Sequence, residues 1–148
     1  MKDRVLAAID TARTRGAEYA DARWVRSRTE ELAVKNGALS MAGMHRSEGV
    51  GIRVLKNGAW GFASTDRLDG EELQAAAARA VAIAEASALV MADQVNLAAE
   101  TAVQGRWATP RQVDPFSVSR EDKLGLLYEV ERALHVDERI QVGQAQML

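Results

Sequence analysis

Apolar and polar positions alternate through Gly49-Val50-Gly51-Ile52-Arg53-Val54, pause at Asn57-Gly58, and alternate again through Trp60 and Phe62. Period-two patterning on both sides of an Asn-Gly pair predicts a β-hairpin, because both residues tolerate the positive φ that a primed two-residue turn needs. Upstream, residues 17–28 predict a first strand, 31–35 a second and 38–48 a third. Asn36-Gly37 is a further hairpin turn, and Gly43 marks a bulge or a close backbone approach. The hairpin of residues 49–65 supplies strands four and five. Every connection among them is too short for a crossover helix, so they form an antiparallel meander. A further strand starts near Arg139 and is still running at Leu148, which predicts a truncated strand.

The pattern shifts to a helical period in three places. Val5, Ile9 and Ala12 recur at i, i+4 and i+7 over about 3–15, and Gly16 closes that helix. Over about 70–90, Leu73, Ala76, Ala77, Ala80, Val81, Ala84 and Ala88 form one stripe, entered through Asp69 as N-cap with Glu72 three residues on. An alanine stripe lets a helix lie close on a sheet, and Trp60 and Phe62 are expected beneath it. Over about 119–135, Ser119 opens a helix that turns Leu124, Leu127, Tyr128 and Leu134 inward, and Gly125 costs it about 1 kcal/mol relative to alanine. Residues 91–118 are irregular, with Trp107, Pro110 and Asp114-Pro115-Phe116 marking an extended connection. Together these predict one α+β domain over 1–148: a meander of about five strands packed with three helices.

Composition narrows the function. Hydrophobic residues at 47% and charged residues at 27% exclude a disordered tail. A net charge of −2 argues against a general nucleic-acid binder, which presents a basic surface to phosphates. With no cysteine, neither a disulfide framework nor a thiolate zinc site is available, which fits a reducing cytoplasm. The most apolar run, 75–92, contains Arg79 and Glu85 and is largely alanine, whereas a membrane span needs about 20 strongly apolar residues.

Candidate chemistry is thin. Gly49-Val50-Gly51 invites a dinucleotide site, but Val54 stands where a third glycine is required, and the segment opens a strand instead of a helix. His45 and His135 lie in different elements without carboxylates at metal-ligand spacing, and both read as surface residues. Ser64-Thr65-Asp66 reads as turn chemistry, since no Gly-x-Ser-x-Gly elbow occurs. Trp24, Trp60 and Trp107 read as buried core in preference to a peptide groove. Arg23, Arg26 and Arg28, balanced by Asp21, Glu30 and Glu31, read as a solvated strand face. No catalytic, cofactor-binding or metal-ligating residue is assigned. Helices before and after the sheet leave one face or an edge open, and an open edge accepts an extended peptide by strand addition.

The order of segments resembles the N-terminal domain of the TldD/PmbA family, also called modulators of DNA gyrase. The matching residues are Gly16-Ala17-Glu18-Tyr19-Ala20-Asp21-Ala22-Arg23, Val34-Lys35-Asn36-Gly37, Gly49-Val50-Gly51-Ile52-Arg53-Val54, Gly58-Ala59-Trp60-Gly61-Phe62-Ala63-Ser64-Thr65 and Asp114-Pro115-Phe116-Ser117-Val118. The Trp-Gly-Phe-Ala-Ser-Thr and Asp-Pro-Phe forms lean towards the TldD side. The resemblance implies a cytoplasmic metallopeptidase system of homo- or heterodimers. In such a system a TldD-type subunit carries zinc and cleaves unfolded peptides. The family's metal motif, His-Glu-x-x-x-His with a later cysteine, belongs to a catalytic C-terminal domain in a much longer chain. No His-Glu pair occurs here, so no catalytic residue carries over and the chain is expected to be inactive alone. It is expected to be an N-terminal, non-catalytic domain that contributes to the substrate cavity and dimer assembly. The alternative is a free-standing peptide-binding or assembly module.

Overall fold

A computed structural model describes residues 1–101 and 103–148. Along the chain run α1 (Lys2–Thr14), β1 (Tyr19–Lys35), β2 (Ala38–Lys56), β3 (Ala59–Thr65), α2 (Gly70–Ala88), a 3₁₀ turn (Pro115–Ser117), α3 (Arg120–Leu134) and β4 (Gln144–Met147). The strands are antiparallel and lie in one sheet in the order β3-β2-β1-β4. The α+β class, the meander and the three helices are as predicted. The strand count is not.

The described residues form four strands where five and a terminal piece were expected. The first and second predicted strands are one, β1, because Thr29 and Glu30 between them supply no turn and β-branched threonine suits an extended chain. The third and fourth likewise fuse into β2, through Gly49-Val50-Gly51. Gly43 makes no close approach, since a β-carbon there would meet nothing within 4 Å. Both real reversals fall at the Asn-Gly pairs, with φ of 47° and 72° at Asn36-Gly37 and 52° and 73° at Asn57-Gly58, the signature of a type I′ turn.

Contacts gather into two compact units, one of Met1–Ser27 with Ser47–Thr101, the other of Arg28–Arg46 with the residues from 103 onward. In the first unit, α1 and α2 pack with β1, β2 and β3 around Ala8, Ala12, Val50, Ile52, Val54, Leu73, Ala80 and Ala84. Asp69 caps α2 as expected, its carboxylate accepting from the Glu72 N–H at 2.9 Å. The surface beneath α2 is Ala59, Gly61 and Ala63, and not Trp60 and Phe62. The register pairs Val54 with Gly61 and Leu55 with Trp60, so Trp60 and Phe62 point to the opposite face, where Phe62 is 58% exposed. Small residues win this parity because a β-carbon on Gly61 would stand 2.0 Å from the Ala80 carbonyl oxygen.

In the second unit, Leu32 and Val34 of β1 pack with Leu127 of α3 and Ala145 of β4. Ser119 caps α3 through the Asp122 N–H at 3.0 Å. Of the predicted inward residues of α3, Leu127 is buried and Leu124 and Tyr128 pack on the same cluster, whereas Leu134 is 43% exposed, and Lys123 and Glu131 are buried on that helix as well. Two charged side chains take that face because each finds a partner, Lys123 with Glu30 and Glu131 with His135. The three tryptophans are not the buried core expected of them. Trp24 and Trp107 are exposed and Trp60 is only partly covered. No helix among the described residues is long and apolar enough to cross a membrane.

Candidate functional site

The sheet face of the first unit opposite α2 collects the side chains that the core does not use. In β1, Ala20 is in the core, so Tyr19, Asp21 and Arg23 point the other way; in β2 the same parity turns out Gly51 and Arg53. In β3 it turns out Trp60, Phe62 and Ser64. An open depression of about 860 Å³ lies here, with Gly49 and Gly51 on its floor, Phe62 on one side, and Arg23, Glu48, Ser64 and Asp66 around it.

Beside it on the same face is a stack. Arg53 donates from Nε and one terminal nitrogen to the same Asp21 carboxylate oxygen, at 2.9 and 2.7 Å. The guanidinium sits 4.6 Å from the Trp60 ring centre, and Tyr19 meets Trp60 edge-on at 5.9 Å. The Asp21 carboxylate beside it holds the Arg53 guanidinium above its ordinary pKa. Two bonds plus a ring fix this cation in place. Arg23, one pleat along β1, is exposed and has no carboxylate at ion-pair distance among the described residues. Phe62 lies over Gly51, where any β-carbon would meet its ring at 3.0 Å. Nearby, Trp24 donates from its indole to Glu48 at 2.8 Å, with Arg26 5.6 Å from its ring centre.

The depression therefore offers an exposed ring, an unpaired cation, hydroxyls at Ser47, Ser64 and Thr65, and carboxylates on its rim. No histidine is among the residues that line it. Gly49 and Gly51, expected to mark a bend between two strands, lie instead inside the single strand β2. Each leaves room for a neighbour: Gly49 for the Thr65 carbonyl, Gly51 for Phe62.

The remaining candidates scatter. Arg28 stacks 4.2 Å from the Phe116 ring centre in the second unit, and Glu30 bonds Lys123 and Arg120. The arginine group of β1 is thus divided among three jobs instead of forming one solvated face. His45 is exposed in β2. His135 bonds Glu131 at 2.8 Å, a contact that spacing on a helix could have suggested and composition could not. Among the described residues no three His, Cys, Asp or Glu side chains come together to hold a metal ion, so a zinc ion finds no donor set in them.

Residues 20–84 match the family model for PmbA/TldA metallopeptidase domain 1. A metalloprotease of Methanothermobacter thermautotrophicus is 51% identical over 49 residues, 33% of this chain and 11% of that protein. A metalloprotease TldD homolog of Haemophilus influenzae is 27% identical over 137 residues, 90% of this chain and 27% of that protein. The chain thus spans between about a tenth and about a quarter of these curated relatives. Among solved structures, a Bacteroides thetaiotaomicron protein described as a proposed modulator of DNA gyrase superposes with a TM-score of 0.74 at 19% identity, over 98% of this chain and 33% of its own. TldE of Thermococcus kodakarensis does so with a TM-score of 0.70 at 18% identity, over 97% of this chain and 32% of its own. At those identities the superpositions establish the fold.

Proposed function

The chain carries the first domain of the PmbA/TldD metallopeptidase family, and from that premise we propose that it is a non-catalytic wall of a peptidase, contacting an extended, unfolded peptide through the open face of the first unit. The observation that carries this is the exposed Phe62 ring set beside the unpaired Arg23, over a floor of glycine and between hydroxyls. An exposed ring offers apolar contact to side chains of many kinds. Arg23 answers a carboxylate or a backbone carbonyl, and neither demands a particular sequence.

Zinc and the cleavage step belong, on this proposal, to a different domain, and assembly with a related subunit completes the cavity. The TldD homolog and TldE among the similar proteins support a partner of the same kind. The test is direct. Purified chain is mixed with a fluorescently labelled, denatured peptide, with and without added zinc. The proposal expects binding that raises anisotropy and weakens on Phe62→Ser, with the peptide intact. Metal-dependent cleavage by the pure chain would refute the non-catalytic assignment, and equal binding by Phe62→Ser would remove the face from it.

A further inference from the structure

In the second unit, His135 closes α3 with both ring nitrogens engaged. Nε2–H donates to the Glu131 carboxylate at 2.8 Å, and Nδ1–H donates to the Ile140 carbonyl oxygen at 3.1 Å. A carbonyl and an ionised carboxylate can only accept, so both contacts exist together only when the ring carries two protons. The neutral ring has one N–H, and whichever oxygen it leaves then faces a nitrogen lone pair. Glu131, 3% exposed, has its charge answered here by the imidazolium, and losing that partner strands a buried carboxylate.

The chain crosses this pair at Gly143. A β-carbon there would stand 2.5 Å from His135 Nε2 and 2.9 Å from Glu131 Oε1, so only a bare α-carbon passes. Asn36, at the β1–β2 turn, holds the same residue on both sides: the Asn36 N–H donates to the Gly143 carbonyl at 3.0 Å, and the Gly143 N–H donates to Asn36 Oδ1 at 2.9 Å. β4 begins at the next residue and pairs with β1, Lys35 opposite Gln144 and Leu32 opposite Met147.

We propose that His135, Glu131 and Gly143 form a protonation-dependent clip that seats the approach to β4, so that deprotonating His135 loosens β4 from the edge of β1. From α3, Arg132 and Tyr128 line the same recess; from the β1–β2 turn come Asn36 and Gly37, both uncharged; beyond α3, Asp137 is bound to Arg139. Hydrogen bonding to Glu131, then to the Ile140 carbonyl, holds the His135 pKa above its ordinary value. A raised value in the folded state means that the contribution is complete at low pH and is lost as pH rises through the folded value. The loss therefore falls above the ordinary histidine pKa.

The experiment is amide hydrogen exchange of Gln144–Met147 in the full chain, corrected for intrinsic rates, between about pH 6 and about pH 8.5, alongside NMR titration of the His135 ring. The expected result is a fall in β4 protection of about tenfold over that range. It should follow the His135 titration, with the ring doubly protonated at the acid end. His135→Ala and Gly143→Ala should give low protection at both ends. Protection that does not change with pH, or a ring that is singly protonated at about pH 6, overturns the proposal. So does His135→Ala retaining the wild-type pH dependence. Should a variant fail to fold, the wild-type titration and exchange decide alone.

Discussion

Gly61 lies directly under Ala80: a β-carbon on Gly61 would stand 2.0 Å from the Ala80 carbonyl oxygen and 2.6 Å from the Ala84 backbone nitrogen. Both are main-chain atoms, which cannot rotate aside, so α2 would have to lift from β3. Gly61→Ala should therefore lower stability by at least the roughly 1–3 kcal/mol of ordinary core overpacking. Gly43→Ala, with nothing within 4 Å of the new carbon, should stay within about 0.5 kcal/mol. Urea unfolding of both variants checks the contrast.

Leu73 is fully buried in the same core, against the alanines of α1 and α2. Leu73→Ala should cost about 2–5 kcal/mol, the range for opening a cavity in a packed interior. The same urea series measures it.

Acid stability should depend on Glu30 more than on Asp137. Lys123 first, and Arg120 with it, holds its pKa below the ordinary glutamate value, although burial pushes the other way. A depressed folded value contributes stability above the unfolded pKa and loses it as pH falls through the folded one. Asp137 is pushed down further, to about 2, but its partner Arg139 is two residues away and solvent-exposed. That pair can survive unfolding, whereas Glu30 reaches its partners only in the folded chain. Glu30→Gln should flatten the loss of stability below the carboxylate range, and Asp137→Asn should change it little. Thermal melts across acid pH separate the two.

The elements were legible because their signals are local. Asn36-Gly37 and Asn57-Gly58 placed both turns, and Asp69 with Glu72 placed the start of α2. The fused strands were not, because Thr29-Glu30 and Glu48-Gly49 resemble interruptions until no reversal is found there. Parity failed at Trp60 and Phe62 for a physical reason. Large rings suggest a core, yet an alanine-rich helix needs Ala59, Gly61 and Ala63 beneath it, and alternation then sends the rings outward. The buried Lys123 and Glu131 were hidden for a similar reason, since their partners are supplied by the fold. The candidate site followed from that one error of parity: what looked like core is the exposed face.

Peptide contact through that face can be mapped residue by residue by NMR. With backbone amides assigned, an unfolded peptide is titrated into the chain. Shifts concentrated at Gly51, Arg53, Phe62 and Ser64, and lost in Phe62→Ser with the fold intact, are the predicted result. Phe62 is 58% exposed, so that substitution should cost no more than about 0.5–1 kcal/mol and leave the protein folded. Saturable binding whose shifts fall elsewhere, with those four amides unmoved, would rule this face out as the peptide contact.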